Sequence, residues 1–412
     1  MRMYVQPKLL LWLGRVNDMV KRIGLNGDEA VALAVKQANV DVIAAYPITP
    51  QTIIVERLSE YVNNGELDAE FVPVESEHSA LSTVVGAALT GARVFTATAS
   101  QGLALMYEIL WIASSLRLPI VMALANRAFS APINIHCSHD DAMAARDAGW
   151  IELFSESVQE VYDLTLQAFM MVEDENIMLP AIVNLDGFIL SHSLADLYVF
   201  DDQEVTNLLR KDRPLYKLPI DFKKPATYGP LGLYDYYMEI KKQQAVAMRN
   251  AYKYIKEVFQ KYSEVSGREY SPVKTYEVED AEIVVIALGS MAGNLRTIAK
   301  SLRKRGKKVG VISLTLYRPF PEDIILKTLK DINVVVVMDR FPNFGAPGGP
   351  LFEDISATLY HLKKRPMLLN VIYGLGGRET SPKEIENIFE RALKISKEGV
   401  MEEKEIWVGV RE

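Results

Sequence analysis

The chain has 412 residues, of which 49% are hydrophobic and 24% are charged, and its formal net charge is −7. This length predicts two or three domains, because one domain usually takes about 150 residues. The acidic balance argues against a general nucleic-acid-binding protein, whose surface would be basic. No segment reaches the roughly 18 consecutive apolar residues that a membrane span needs. We therefore expect a cytoplasmic protein whose partners are proteins or small molecules.

The first 24 residues are interpreted as an N-terminal extension. Their apolar patch, Leu9 to Leu13, is short and lacks the small-residue cleavage site of a secretory signal. Cys137 is the only cysteine of the chain. The chain can therefore form no internal disulfide, and it cannot by itself supply the four thiolates of an ordinary iron–sulfur cluster.

Residues 25–190 alternate apolar runs with amphipathic segments, which predicts an α/β domain. Near-continuous apolar runs separated by helix-length segments are typical of strands in a parallel sheet. The intervening segments carry apolar residues at helical spacing. The predicted strands lie within Val40 to Tyr46, Ala69 to Val74, Ala92 to Ala99, Leu118 to Asn126 and Leu179 to Gly187.

Residues 191–278 lose this alternation and are interpreted as a linker or insertion. Aspartates, lysines and prolines precede one long polar helix, from about Met238 to Ser263. A second, smaller α/β domain is predicted over residues 279–412, with four strands in AEIVVIALGS, KKVGVISLTL, NVVVVMDR and LLNVIYGLGG. The glycine-rich segments PNFGAPGGP and YGLGGRET lack the phosphate-binding fingerprints, so we interpret them as tight turns or contact loops.

The loop YPITP follows the first predicted strand, and ligands of doubly wound sheets bind beyond the carboxyl ends of strands. Pro47 and Pro50 fix φ at two positions of this loop and pre-organise Thr49 between them. Thr49 can then present its hydroxyl group to a ligand. The alternative, which the local pattern alone favours, is a turn in which Thr49 or Thr52 caps the next helix.

The loop VPVESEHSA places Glu75, Glu77 and His78 between a strand and an apolar helix. The two glutamates can simply complement the positive end of the helix dipole, and the local pattern favours this interpretation. The functional alternative is a carboxyl group in an apolar cleft that stays protonated and donates a hydrogen bond to a ring nitrogen.

Arg127 follows the strand that ends at Asn126, in a stretch of small residues. A guanidinium group at this position can bind a planar carboxylate through two N–H donors. The alternative is a structural ion pair with Asp140 or Asp141. Both interpretations remain open on the sequence pattern.

A weak metal-binding pattern follows Arg127 in the same loop. His136, Cys137 and His139 lie close together, but a His-x-x-His pattern without further well-spaced ligands is a poor match to the four ligands of a zinc site. We therefore predict no metal ion on this chain.

Six motifs, taken in order, resemble those of the α subunits in the pyruvate:ferredoxin oxidoreductase family, within the thiamine-dependent 2-oxoacid:ferredoxin oxidoreductases. They are YPITPQT, VESEHSA, TATASQGLALMYE, NRAFSAPINIH with HDDAMAARDAGW, LYRPFP and YGLGGRE, and the resemblance runs from about Leu25 to Thr380. It implies a parallel-sheet domain that binds the pyrimidine end of thiamine pyrophosphate, followed by a smaller transketolase C-terminal-like α/β domain.

The resemblance also implies roles for four residues. Thr49 and Arg127 are expected to reach the 2-oxoacid, Glu77 to hydrogen-bond the aminopyrimidine ring, and Pro47 to contact the cofactor. The segment NIHCSHDD departs from the glycine-containing form expected in relatives, which leaves the shape of that loop open.

The family implies a hetero-oligomer. A β subunit would hold the diphosphate, its magnesium ion and an iron–sulfur cluster, with γ and ferredoxin-like δ subunits completing the complex. The reaction implied is oxidation of pyruvate with coenzyme A to acetyl-CoA and CO2, with electrons passed to ferredoxin. The alternatives are another 2-oxoacid, such as 2-oxoisovalerate or 2-oxoglutarate, and a non-catalytic scaffold. The segment SAPINIH resembles the pyruvate branch more than the branched-chain one.

Overall fold

The computed structural model describes residues 20–209, 223–225 and 227–411. Most of the predicted N-terminal extension, residues 1–19, lies outside the described residues. The strands, in chain order, are β1 (Val20–Leu25), β2 (Val42–Ala45), β3 (Glu70–Pro73), β4 (Val94–Thr98), β5 (Ile120–Asn126), β6 (Ile151–Phe154), β7 (Ala181–Asp186), β8 (Ala195–Phe200), β9 (Val273–Tyr276), β10 (Ile283–Ala287), β11 (Val309–Leu314), β12 (Leu316–Arg318), β13 (Val334–Asp339), β14 (Met367–Ile372) and β15 (Glu405–Trp407).

The α-helices alternate with most of these strands. They are α1 (Gly27–Gln37), α2 (Thr52–Asn63), α3 (Glu77–Leu89), α4 (Ser100–Ser115), α5 (Asp140–Ala145), α6 (Val158–Val172), α7 (Asp202–Leu208), α8 (Tyr237–Ser266), α9 (Met291–Lys304), α10 (Glu322–Leu329), α11 (Pro350–Leu359) and α12 (Pro382–Glu398). Among the described residues, no helix combines the length and the apolar character that crossing a membrane would require.

The fold is built on two large sheets. The seven-stranded sheet has the order β12-β6-β7-β5-β4-β2-β3, and the six-stranded sheet has the order β15-β14-β13-β10-β11-β9. Both sheets are parallel except for one antiparallel edge strand each, β12 in the first and β9 in the second. We call the unit built on the seven-stranded sheet the first domain and the unit built on the six-stranded sheet the second domain.

The central strands form where the sequence offers apolar runs that both faces of a sheet can bury. Every residue of β4, β5, β6 and β7 is buried, as expected for strands covered by helices on both sides. One hydrophobic cluster joins the two domains, because it contains Leu110 and Ile182 of the first together with Ile286, Leu314 and Val337 of the second. The shared core fixes how the two domains lie against each other.

Some segments whose sequence pattern does not indicate a strand nevertheless form strands, either at the edge of a large sheet or in a separate two-stranded sheet. β1 and β8 form an antiparallel pair of their own, although β1 lies almost entirely in the predicted N-terminal extension and β8 in the predicted linker. β12, which belongs to the motif LYRPFP, crosses over to pair with β6 of the first domain. The domain boundaries proposed from the sequence stay predictions.

The long polar helix expected from about Met238 to Ser263 corresponds to α8, which is anchored to α6 by Asp163. The Asp163 carboxylate is fully buried and accepts hydrogen bonds from the hydroxyl groups of Tyr262 and Tyr270, both at 2.5 Å. The Arg268 guanidinium donates two further bonds to it, at 2.6 and 2.7 Å. One carboxylate therefore fixes both the C-terminal turn of α8 and the segment that follows it.

We expect Asp163→Asn to destabilise the full-length chain by about 3–5 kcal/mol, because the change leaves the Arg268 charge without its buried partner. Denaturant unfolding would measure the loss. Glu386→Ala is the matched control, since it breaks the exposed pair between Glu386 and Arg305 and should cost about 1 kcal/mol or less. Equal effects of the two changes would contradict the anchoring role of Asp163.

Candidate functional site

The loop that leaves β2 is held in place from inside by Gln51. Gln51 is fully buried, and its amide nitrogen donates to the carbonyl oxygens of Tyr46 at 2.8 Å and Ala97 at 3.3 Å. Helix α2 begins at Thr52 with Gln51 as its N-cap and without a side-chain capping bond, so neither Thr49 nor Thr52 caps the helix. The capping interpretation of these threonines is therefore wrong.

Arg127 and Thr49 lie together at the carboxyl edge of the first sheet. The Arg127 side chain is only 6% exposed, and its Nη1 donates to the Thr49 carbonyl oxygen at 2.9 Å while its Nε donates to the Asn134 carbonyl oxygen at 2.9 Å. Burial lowers the pKa of Arg127, and the nearby Asp141 opposes this shift. The Thr49 side chain and the Pro47 ring are exposed on the same loop.

The structural ion pair considered for Arg127 does not form. Within the described residues, its guanidinium group pairs with no carboxylate, and Asp141 instead accepts a hydrogen bond from the Arg127 backbone N–H at 2.9 Å. Within the described part of the chain, two of the five N–H donors of the guanidinium are used, both by uncharged carbonyl groups. The group therefore keeps N–H donors available for an anionic ligand.

Asp141 holds the backbone next to Arg127 in place through hydrogen bonds. Its buried carboxyl group accepts from the backbone N–H groups of Ser100 at 3.0 Å, Arg127 at 2.9 Å and Ala142 at 2.8 Å, and from the Asn126 amide at 3.1 Å. Burial raises the pKa of Asp141 to about 7, although these four hydrogen bonds oppose the shift. Asp141 thereby ties the end of β5 to the start of α4.

Glu77 is a buried acidic residue at the start of α3. It is the first residue of α3, after the N-cap Ser76, and its side chain is 5% exposed. No hydrogen bond to its carboxyl oxygens forms among the described residues. Its Oε1 lies against Gly102 of α4, where an added Cβ atom would come within 2.8 Å of it and within 2.3 Å of the Thr98 hydroxyl oxygen. Because Gly102 has no side chain, the Glu77 carboxyl group can occupy this space.

A buried carboxyl group without a donor is costly unless a ligand supplies the hydrogen bond. The helix-dipole interpretation explains why an acidic residue suits the first turn of α3, but it does not explain the burial of Glu77. The exposed Glu75 fits that interpretation better, since the Ser79 hydroxyl donates to its carboxylate at 2.5 Å.

Of three residues predicted from the sequence, Thr49 and Arg127 are in direct contact, and Glu77 is linked to them only indirectly. Thr49 and Arg127 share a hydrogen bond, whereas Glu77 is connected to them through the start of α4, which Asp141 ties to Arg127. Sequence reasoning missed the supporting roles of Gln51, Gly102 and Asp141. The available signal for Gly102 was its position two residues after Ser100 in the motif TATASQG, directly beyond a buried strand.

The residues that could bind a metal ion in the structure differ from those considered in the sequence, because Asp186 takes the place of His136. Cys137, His139 and Asp186 have ligand atoms within 4.8 Å of one another, and all three residues are buried. The Arg340 guanidinium already donates to Cys137 Sγ at 3.0 Å and to Asp186 Oδ2 at 2.8 Å. Burial raises the pKa of the Cys137 thiol, whereas a metal ligand must be a thiolate. We therefore assign this cluster to the contact between the domains.

Two family models match the chain in succession. The model described as "Pyruvate flavodoxin/ferredoxin oxidoreductase, thiamine diP-bdg" matches residues 33–260, and the model described as "Pyruvate:ferredoxin oxidoreductase core domain II" matches residues 281–385. The first of these contains Thr49, Glu77 and Arg127. The class of protein defined by fold and site is thus a thiamine diphosphate-binding oxidoreductase chain.

Similar proteins cover almost the whole chain. The "Pyruvate synthase subunit PorA" of Thermotoga maritima is 48% identical over 96% of this chain and 99% of its own length, and that of Methanocaldococcus jannaschii is 44% identical over 94% and 98%. The "Ketoisovalerate oxidoreductase subunit VorA" of Pyrococcus abyssi is 40% identical over 94% and 97%. The chain belongs to the pyruvate:ferredoxin oxidoreductase family, which confirms the resemblance found in the sequence.

A solved structure supports the fold. The 2-oxoglutarate:ferredoxin oxidoreductase from Magnetococcus marinus, with 2-oxoglutarate, coenzyme A and succinyl-CoA bound, superposes with a TM-score of 0.67 at 20% identity. The match covers 90% of this chain and 65% of that chain. The predicted fold class is confirmed: an α/β chain with a parallel-sheet thiamine-binding domain and a second, transketolase C-terminal-like domain.

Proposed function

We propose that this chain is the α subunit of a pyruvate:ferredoxin oxidoreductase, which converts pyruvate and coenzyme A to acetyl-CoA and CO2 and passes the electrons to ferredoxin. The observation that carries the proposal is that two buried residues, Glu77 without a hydrogen-bond partner among the described residues and Arg127 with free N–H donors, follow strands β3 and β5 of one sheet in a chain of this family. The chain acts only within a multi-subunit complex.

Glu77 fits the pyrimidine ring of thiamine diphosphate. When bound, this cofactor supplies the carbon nucleophile for the 2-oxo group and the electron sink for decarboxylation. Glu77 would hydrogen-bond the aminopyrimidine ring nitrogen, which would give its carboxyl group a partner and hold a proton at that nitrogen. Gly102 gives the carboxyl group its space, and the exposed Pro47 would contact the cofactor from the loop after β2.

Arg127 and Thr49 orient the 2-oxoacid. The free N–H donors of Arg127 bind the substrate carboxylate, and the exposed Thr49 hydroxyl group gives a second contact on the same side. The two hydrogen bonds from Arg127 to backbone carbonyls fix the direction of its guanidinium group before the substrate arrives. Since the carboxylate leaves as CO2, a moderate contact serves the reaction better than one that favours the ground state.

The electrons leave through other chains. The single cysteine, Cys137, is buried at the contact between domains, so the 4Fe–4S clusters reside on partner subunits. A β subunit contributes the diphosphate site, its magnesium ion and the proximal cluster, and γ and ferredoxin-like δ subunits complete the complex. The cytoplasmic location expected from the sequence is part of this proposal.

A second candidate substrate is 2-oxoisovalerate. The 40% identity to a ketoisovalerate oxidoreductase subunit is close to the identities with the pyruvate synthase subunits, and a pocket difference of a few methylene groups is worth only about 1–3 kcal/mol. A panel of pyruvate, 2-oxoisovalerate and 2-oxoglutarate, compared by kcat/KM with and without coenzyme A, separates the candidates. We expect pyruvate to give the highest value; a higher value for 2-oxoisovalerate would reassign the substrate.

We expect Gly102→Ala to weaken thiamine diphosphate binding and to lower turnover at least tenfold, because its Cβ would displace Glu77 or Thr98. Cofactor titration of the assembled complex measures the first effect. Gly86→Ala is the matched control, since Gly86 is also a helical glycine but has open space at the Cβ position. Wild-type cofactor affinity in the Gly102 variant would contradict the placement of the pyrimidine beside Glu77.

A further inference from the structure

A glycine turn of the second domain rests directly on the loop that follows Arg127. The Asn134 side-chain amide donates to the Gly376 carbonyl oxygen at 3.2 Å, and the Gly377 N–H donates to the Cys137 carbonyl oxygen at 2.8 Å. Gly377 has a φ of +77°, and a Cβ atom there would lie 2.6 Å from the Cβ of His136. The turn therefore approaches the loop as closely as a residue without a side chain allows.

Arg340, also of the second domain, holds the other end of the same loop. Its carbonyl oxygen accepts from the His139 N–H at 3.1 Å and from the Ser138 hydroxyl group at 2.9 Å. Arg340 is only 5% exposed, and its guanidinium group donates to Cys137 Sγ and to Asp186 at the end of β7. The two bonds to its carbonyl oxygen and the guanidinium bond to Cys137 thus fasten this part of the loop against the second domain, while the bond to Asp186 ties Arg340 to the end of β7.

Hydrogen bonds within the loop connect the glycine turn to Arg127. Asn134, whose side chain reaches the turn, is also the residue whose carbonyl oxygen accepts the hydrogen bond from Arg127 Nε at 2.9 Å. The Asn134 Oδ1 accepts from the His136 N–H at 2.7 Å, and the His136 carbonyl oxygen accepts from the Ala128 N–H at 3.0 Å. A shift of the turn is thereby transmitted to both the side chain and the backbone next to the arginine.

We propose that the second domain positions Arg127 for the 2-oxoacid through this loop, with Gly377 and Asn134 as positioning residues that do not touch the substrate. The proposal rests on the proposed function, in which Arg127 binds the substrate carboxylate. The second domain thus contributes to substrate affinity without lining the pocket, and disturbing the turn lowers affinity for the 2-oxoacid more than it lowers the maximal rate.

The first test compares two glycine variants in the assembled complex. Gly377→Ala and Gly399→Ala both place alanine at a positive φ, +77° and +70°, but only the first adds an atom against the loop, since Gly399 has open space. We expect KM for pyruvate to rise about tenfold in the Gly377 variant with a smaller change in kcat, and to stay at the wild-type value in the Gly399 variant. Thermal denaturation reports the backbone strain common to both.

Asn134→Ala provides a second test that adds no strained backbone. It removes the bond to Gly376 and the bond from the His136 N–H, and we expect the same rise in KM for pyruvate. We expect affinity for thiamine diphosphate to stay unchanged, because no hydrogen bond joins Glu77 to this loop among the described residues. Wild-type KM values in both the Asn134 and the Gly377 variants would overturn the proposal.

A double-mutant cycle separates this proposal from the proposed function. If the loop acts through Arg127, Gly377→Ala should change kcat/KM about tenfold in the wild-type background and have almost no effect in the Arg127→Ala background. An undiminished effect in that background would overturn the coupling while leaving the role of Arg127 intact. A wild-type KM for Arg127→Ala alone would instead refute the substrate site itself, and the positioning proposal with it.

Discussion

Replacing Glu77 with glutamine is expected to lower the turnover of the assembled complex by about 10²–10⁴-fold, the range typical for loss of a positioned acid–base group. The amide has nearly the same shape as the carboxyl group, so the new side chain should still fit beside Gly102 and the complex should still assemble. The loss is therefore expected in kcat at saturating thiamine diphosphate. Steady-state kinetics with pyruvate and an artificial electron acceptor would measure it.

Glu75→Gln is the control for this change. Glu75 lies two residues earlier in the same loop, but it is exposed and is already bonded by the Ser79 hydroxyl group. We expect nearly normal turnover in this variant. Near-normal turnover in the Glu77 variant as well would show that the buried carboxyl group is not the pyrimidine partner.

Arg127→Ala is expected to lower kcat/KM for pyruvate by about 10–100-fold, because hydrogen bonds to a charged group contribute about 1.5–3 kcal/mol. The loss should appear mainly in KM, since the proposed role of the arginine is to bind the carboxylate of the substrate and not to transfer a proton. Initial rates over a wide range of pyruvate concentrations separate the two parameters. Arg127→Lys keeps the charge but loses the fixed fork, so it should recover only part of the loss.

Arg117→Ala is the matched control for the arginine. Arg117 also donates to two backbone carbonyl groups, those of Ile177 and Met178, and burial lowers its pKa as it does for Arg127. It lies at the end of α4, away from the candidate site. This change should lower stability without raising KM; an unchanged KM in the Arg127 variant too would remove Arg127 from the substrate site.

The sequence predicts those parts of the fold whose signals are local. β4, β5 and β7 are continuous apolar runs, and the structure places them at the centre of the first sheet, where both faces are buried. β6 and β12 escaped prediction because they have only four and three residues, and β8 because it lies in the segment interpreted as a linker; β1, β9 and β15 were not predicted either. β12 in particular pairs with β6 across the contact between domains, a tertiary contact that no local pattern contains.

The same distinction applies to the candidate site. The positions of Thr49, Glu77 and Arg127 were predictable because each follows a recognisable strand and the carboxyl ends of parallel strands meet at one edge, whereas their roles come from the family resemblance and stay predictions. Asp141, Gly102 and the Gly376–Gly377 turn support those residues from elsewhere in the fold. Asp141 could be weighed only as an ion-pair partner, since its actual bonds go to backbone N–H groups that the fold brings to it.

The most direct test of the central claim is anaerobic reduction of viologen by the complex of this chain with its proposed cluster-bearing partners, supplied with thiamine diphosphate and magnesium. We predict rapid reduction with pyruvate that requires coenzyme A and that falls by orders of magnitude when the chain carries Glu77→Gln. A correctly assembled complex that reduces nothing with pyruvate or any other 2-oxoacid would contradict the catalytic role of Thr49, Glu77 and Arg127, and would favour a scaffold subunit instead.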